Sequence, residues 1–144
     1  LSGLVGSEMC IRDRQQGIAH LKFCTEIYKW QAEHGGWFLH EHPAYASSWK
    51  LLEVEQMLKQ EGVVTCVGDQ CMYGLKTRGK EKGEEAFARK RTRFMTNSQY
   101  VGEALSEKCR GQHRHIELTG GGRTRRQDAN FKCTWLSQTY KLDC

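Results

Sequence analysis

Twice in its first half the chain runs through one pattern: a stretch of helical period, a glycine stop, then a short apolar run. In residues 18–34, Leu21, Cys24 and Tyr28 form one stripe, with Phe23, Ile27 and Trp30 beside it. Gly35-Gly36 closes that helix, because glycine takes the left-handed conformation a helix end needs. Trp37–Glu41 then reads as a buried strand, ended by Pro43, which cannot donate to a ladder. Ser47 or Ser48 caps a second helix over 48–60 with Leu51, Val54 or Glu55, and Leu58 inward, flanked by Trp49, Leu52 and Met57. Gly62 ends it, and the β-branched run Val63–Val67 is a second strand. Strands alternating with helices predict an α/β layer fold with a mainly parallel sheet. Trp37–Glu41 and Val63–Val67 are then expected as adjacent parallel partners across a helical crossover.

The second half is less regular. Gly68-Asp69 reads as a turn, and Cys71–Leu75 and Arg89–Thr96 as strands on either side of a polar loop at 76–86. Ser98 caps a helix expected to bury Tyr100, Val101, Ala104 and Leu105. Residues 110–128 are loop-like, with three glycines at 120–122, and 129–140 form a last short helix. These are few strands for a doubly wound domain. The expected fold class is therefore α/β, an incomplete Rossmann-like layered sheet with flanking helices.

Charge narrows the function. Among 144 residues, 22 are Lys or Arg and 17 are Asp or Glu, for a net charge of +5. Residues 76–93 hold eight basic and three acidic side chains, so that window alone equals the excess. Such a patch attracts phosphates, or is simply a solvated basic loop. Arg89, Arg91 and Arg93 alternate, so on a regular strand they share a face, and an anion opposite them relieves their repulsion. No apolar run approaches the roughly 18 residues of a membrane span, so no membrane partner is expected.

Seven cysteines at irregular spacing, without a CxxC pair, read as reduced thiols of an intracellular protein, nuclear or cytoplasmic. Cys66, Cys71, Cys109, His113, His115 and Cys133 contain a CxxxHxH run with zinc-ligand chemistry. The paired C-x₂₋₄-C signature is missing, however, and no metal is assigned. P-loop, HExxH, GxSxG and GxGxxG motifs are absent. Glu41 directly follows a buried strand, where ligands bind in open α/β sheets. Apolar walls there raise a carboxyl pKa and suit it to acid chemistry; the plainer alternative is a turn cap or a pair with an arginine.

Residues 1–14 show neither helical nor strand period. Their string LVGSEMCIRDR resembles a translated sequencing adapter of the kind found at the ends of gene models assembled from short reads. The expected organisation is an artefactual or disordered leader at 1–14, with no buried side chains, and a domain at 15–144.

Four stretches carry a second resemblance: GIAHLKFCTEIYKWQAEHGGWFLHEHPAYASSWK, VGDQCMYGL, RKRTRFMTNS and CRGQHRHIELTGGGR. Together, over about residues 17–126, they resemble a domain of Copia-type retrotransposon polyproteins, of the kind abundant in dinoflagellate genomes. That domain is in turn similar to phage-type cytosine-5 DNA methyltransferases. The resemblance implies a Rossmann-like methyltransferase fold. It implies that Glu41 is the glutamate that binds the cytosine ring, and that Lys90, Arg91 and Arg93 contact the flipped base and its phosphates. Arg123, Arg125 and Arg126 extend the candidate nucleic-acid surface.

The Pro-Cys nucleophile and the glycine-rich S-adenosylmethionine loop are absent, and His42 stands where asparagine is usual. The implied protein is the C-terminal part of a mobile-element domain. It is inactive alone and holds no cofactor in this stretch, S-adenosylmethionine belonging to the intact domain. The alternative is a non-catalytic nucleic-acid-binding module built on 76–93. Under the first reading Glu41 sits half-buried at the end of its strand, facing the same cleft as Arg91 or Arg93.

Overall fold

The computed structural model describes residues 2–79 and 83–116, with side chains from residue 11 onward. A long helix, α1 (Ser2–Glu33), opens the chain. Helix therefore runs through 2–14, where no period was legible; Ile11 is 57 % exposed and residues 12–14 also face solvent. The expected stripe of Leu21, Cys24 and Tyr28 turns inward around buried Thr25, whereas Phe23, Ile27 and Trp30 stay exposed. At the end of α1, Gly35 takes φ +72°, and Gly36 N–H donates to Gln31 O while Gly35 N–H donates to Ala32 O. This bond pair satisfies carbonyls that the helix leaves orphaned.

Next come β1 (Leu39–Pro43), a 3₁₀ turn at Ser47–Lys50, α2 (Leu52–Leu58) and β2 (Val64–Asp69). A second 3₁₀ turn, Gln70–Tyr73, leads into a small hairpin of β3 (Lys76–Arg78) and β4 (Glu85–Phe87). Then β5 (Arg91–Thr96) and α3 (Gln99–Ala104) follow, with Ser98 Oγ accepting from Val101 N–H as the expected cap.

The main sheet has the order β1-β5-β2, and both pairings are antiparallel. β1 and β2 do run in the same direction, as expected of a crossover pair. They are not partners, because β5 lies between them and bonds to both. The expected adjacent parallel pairing is thus overturned, and the fold is mixed α/β. Trp37, expected in the first strand, precedes it and is 69 % exposed. Gly68-Asp69 is not a turn but the end of β2. Cys71–Leu75 is not a strand: Cys71 lies in the 3₁₀ turn that Gly74 closes at φ +85°.

One face of the sheet meets α2 and the second half of α1, where Phe38, Trp49, Val54, Met57 and Met95 form the core with Tyr28 against them. Packing five large apolar side chains together is the main stabilising term for so short a segment. On the other face α3 lies close, and Gly102 places its backbone against Val64 and Thr96. That approach turns Tyr100, expected inward, out to solvent at 84 % exposure. The loop from Leu105 then runs along the free edge of β2, where Asp69 N–H donates to Glu107 O.

Candidate functional site at the strand ends

The C-terminal ends of β1 and β2 and the N-terminal end of β5 meet on one side of the sheet, because β5 runs against the other two. Charged side chains from all three collect there. Glu41 is half-buried; its Oε1 accepts from Gln70 Nε2 at 2.8 Å and from Lys90 Nζ at 3.2 Å. Lys90 and Glu41 keep only 17 % of their side-chain surface each, so water screens the pair weakly.

Register decides which cations share a face with Glu41. Glu41 stands opposite Phe94, whereas His42 stands opposite Arg93. Directly opposed residues of an antiparallel pair share a face, so Glu41 points to the side of Thr92, Phe94 and Thr96. Arg91 and Arg93 point to the other. The expectation of a common cleft for Glu41 and those arginines fails. Lys90, just before the strand, takes the part instead, and Glu41 is half-buried as expected.

The arginines are each engaged. Arg91 lies opposite Asp69 and grips it with a fork: Nε to Oδ1 at 3.0 Å and Nη2 to Oδ2 at 3.2 Å. Asp69 is fully buried, and its Oδ2 also accepts from Cys109 N–H at 2.9 Å. The Arg91 hydrogen bond, aided by the Cys109 amide and the positive charge of Arg91 and Arg89, holds the Asp69 carboxyl below its ordinary pKa although burial pushes the other way. Arg93 stacks over the Trp49 ring at 4.6 Å and donates to Thr65 Oγ1. Arg89 is half-exposed, 3.9 Å from Asp69. Much of the basic window is therefore balanced by acids outside it, Glu41 and Asp69. Exposed Arg78, Arg89, Lys108 and Arg110 remain on the outer surface.

The cysteine and histidine candidates separate cleanly. Cys71, Cys109, His113 and His115 converge, with their ligand atoms all within 4.8 Å of one another. Cys66 lies on β2 opposite Phe94 and takes no part. Cys133, Arg123, Arg125 and Arg126, together with the helix expected at 129–140, lie outside the described residues. Burial first, then neighbouring Cys109 and Asp69, push the Cys71 thiol up to about 11. Burial, followed by the nearby charges of His113 and Arg89, lowers the His115 pKa.

Asp69 and Gln70 were missed as site residues. The signal was the DQC triplet directly after a β-branched run, which read as a turn because Gly68 precedes it. Comparison with protein-family models, with curated proteins and with solved structures finds no match.

Proposed function

We propose that this chain is part of a mobile-element domain resembling cytosine-5 DNA methyltransferases, that it binds nucleic acid at the strand ends, and that it does not methylate by itself. The observation that carries the reading is Glu41. It stands at the middle of β1, two residues before the strand ends at Pro43, half-buried, and its carboxylate is held by Gln70 and Lys90. A carboxylate so placed presents an acceptor to the edge of a planar base, while the hydrogen bonds from Gln70 and Lys90 fix its position. The common direction of β1 and β2, with helices on both faces of their sheet, is the feature that supports a Rossmann-like layout; β5 between them is antiparallel to both. Support for a larger parent domain comes from the outer edge of β1, which pairs with no described strand, and from the exposed Phe23, Ile27 and Trp30 of α1.

The second reading is a non-catalytic nucleic-acid-binding module. Exposed Arg78 and half-exposed Arg89 favour it: Arg78 faces solvent, and Arg89 keeps about half of its side chain there beside Asp69, within reach of phosphates.

Fluorescence anisotropy separates the two, using labelled duplexes with one unpaired cytosine or one unpaired thymine across a salt series. The first reading expects a cytosine preference of about tenfold, abolished by Glu41→Gln with the salt slope intact. The module reading expects no base preference and a salt slope that falls in the Arg78→Ala/Arg89→Ala double variant. Absence of binding at low salt contradicts both.

A further inference from the structure

We propose that Cys71, Cys109, His113 and His115 bind one zinc ion in a closed tetrahedral site that staples the chain after α3 to the end of the sheet. Nε2 of His113 and Nε2 of His115 lie 3.6 and 3.5 Å from Cys109 Sγ. A tetrahedral ion with ordinary Zn–S and Zn–N bonds separates a sulfur and a nitrogen ligand by about 3.5 Å. These two spacings match the edges of such a coordination shell. All four ligand atoms fall within 4.8 Å of one another, so one ion reaches them all.

The donor chemistry selects the metal. Two thiolates and two neutral imidazoles suit zinc, and four protein ligands leave no open position, which marks a structural rather than a catalytic centre. Binding is a substitution without redox change: Zn²⁺ displaces the two thiol protons to solvent, and the two thiolates cancel its charge. A neutral complex is what the buried Cys71 and Cys109 can accommodate.

The surroundings are built to hold these ligands. Cys109 N–H donates to buried Asp69, which anchors that ligand to β2. Gly111 takes φ +79°, letting the chain turn back so that its N–H donates to Cys109 Sγ at 3.3 Å. His113 packs on the Phe87 ring, and His115 forms a bridge with Phe87 of β4. Cys71 comes from the 3₁₀ turn after β2. The centre therefore ties the turn that carries Cys71 to a segment that has no regular structure beyond one bridge, beside the hairpin on which His113 and His115 pack. Crosslinking of that kind is what short, core-poor segments need.

The experiment uses the full chain expressed in zinc-containing medium. Elemental analysis after desalting is expected to show about one zinc per chain, falling to below about a tenth in Cys109→Ala and His115→Ala, with Cys66→Ser unchanged. A failure of those variants to fold is covered by cobalt. Chelator-stripped wild-type protein given Co²⁺ is expected to develop the visible absorption of a tetrahedral ion, together with a near-ultraviolet sulfur-to-cobalt charge-transfer band. Wild-type protein without zinc, a Cys71–Cys109 disulfide in place of metal, or a cobalt spectrum without the thiolate band overturns the proposal.

Discussion

Asp69 and Arg91 face each other across β2 and β5 in a two-point ion pair, and the same carboxylate holds the Cys109 amide. One buried side chain thus links the central strand to the loop that carries three of the four proposed zinc ligands. Arg91 supplies the charge that lets Asp69 stay ionised without water.

Replacing Asp69 by Asn should cost about 2 kcal/mol, the value of a hydrogen bond to a charged group reduced for the partial exposure of Arg91. Urea denaturation followed by tryptophan fluorescence measures it. A loss below about 0.5 kcal/mol would mean that the pair is a surface ornament. If zinc is bound, the same variant should also weaken it about tenfold or more, because Cys109 loses its anchor.

His40 offers a pH test away from the proposed zinc ligands. It is buried between Tyr28, whose OH lies 3.3 Å from Nδ1, and the edge of the Trp49 ring. Burial, followed by repulsion from His42, lowers its pKa to about 4, while Glu41 pulls the other way. The unfolded chain, with a histidine pKa of about 6.5, takes up the proton first. The stability contributed by neutral His40 is therefore fully present above about pH 6.5 and is lost as pH falls towards about 4. Its full size is about 3 kcal/mol. Proton NMR of the His40 ring should show no titration between pH 7 and about 5, and a midpoint near 6.5 would contradict the burial.

Two glycines should respond in opposite directions to alanine. A methyl at Gly68 would strike the Leu105 carbonyl and crowd Tyr73 Oη, so Gly68→Ala should destabilise by about 2 kcal/mol. Gly17 lies in α1 where an added Cβ would meet nothing within 4 Å outside its own helix backbone, so Gly17→Ala should stabilise by up to about 1 kcal/mol through helix propensity. Thermal melts of both variants check the signs.

Removing residues 1–14 should leave the melting temperature within about 2 °C, since Ile11 and residues 12–14 face solvent even though they are helical. A larger drop would place that turn of helix within the cooperative unit.

What the sequence revealed was local. The Leu21–Cys24–Tyr28 stripe, the Gly35-Gly36 stop and the Ser98 cap all depend on neighbours within a helical turn or two, and all three appear in the fold. Periodicity could not show that β5 inserts between β1 and β2, because strand order depends on contacts far apart in the chain. That insertion set the face of each arginine and so decided that Lys90, not Arg91 or Arg93, meets Glu41. The proposed zinc ligands were half legible. Cys109, His113 and His115 form one short motif, but Cys71 joins them only through the 3₁₀ turn after β2, which a strand reading of 71–75 conceals.

The central claim is that the strand ends around Glu41 receive a nucleic base. Amide chemical-shift mapping with a short single-stranded DNA containing one cytosine tests it most directly. Perturbations centred on Glu41, Gln70 and Lys90, and lost in Glu41→Gln, are the expected result. Shifts confined to the β3–β4 hairpin and exposed arginines, unchanged in Glu41→Gln, would contradict it.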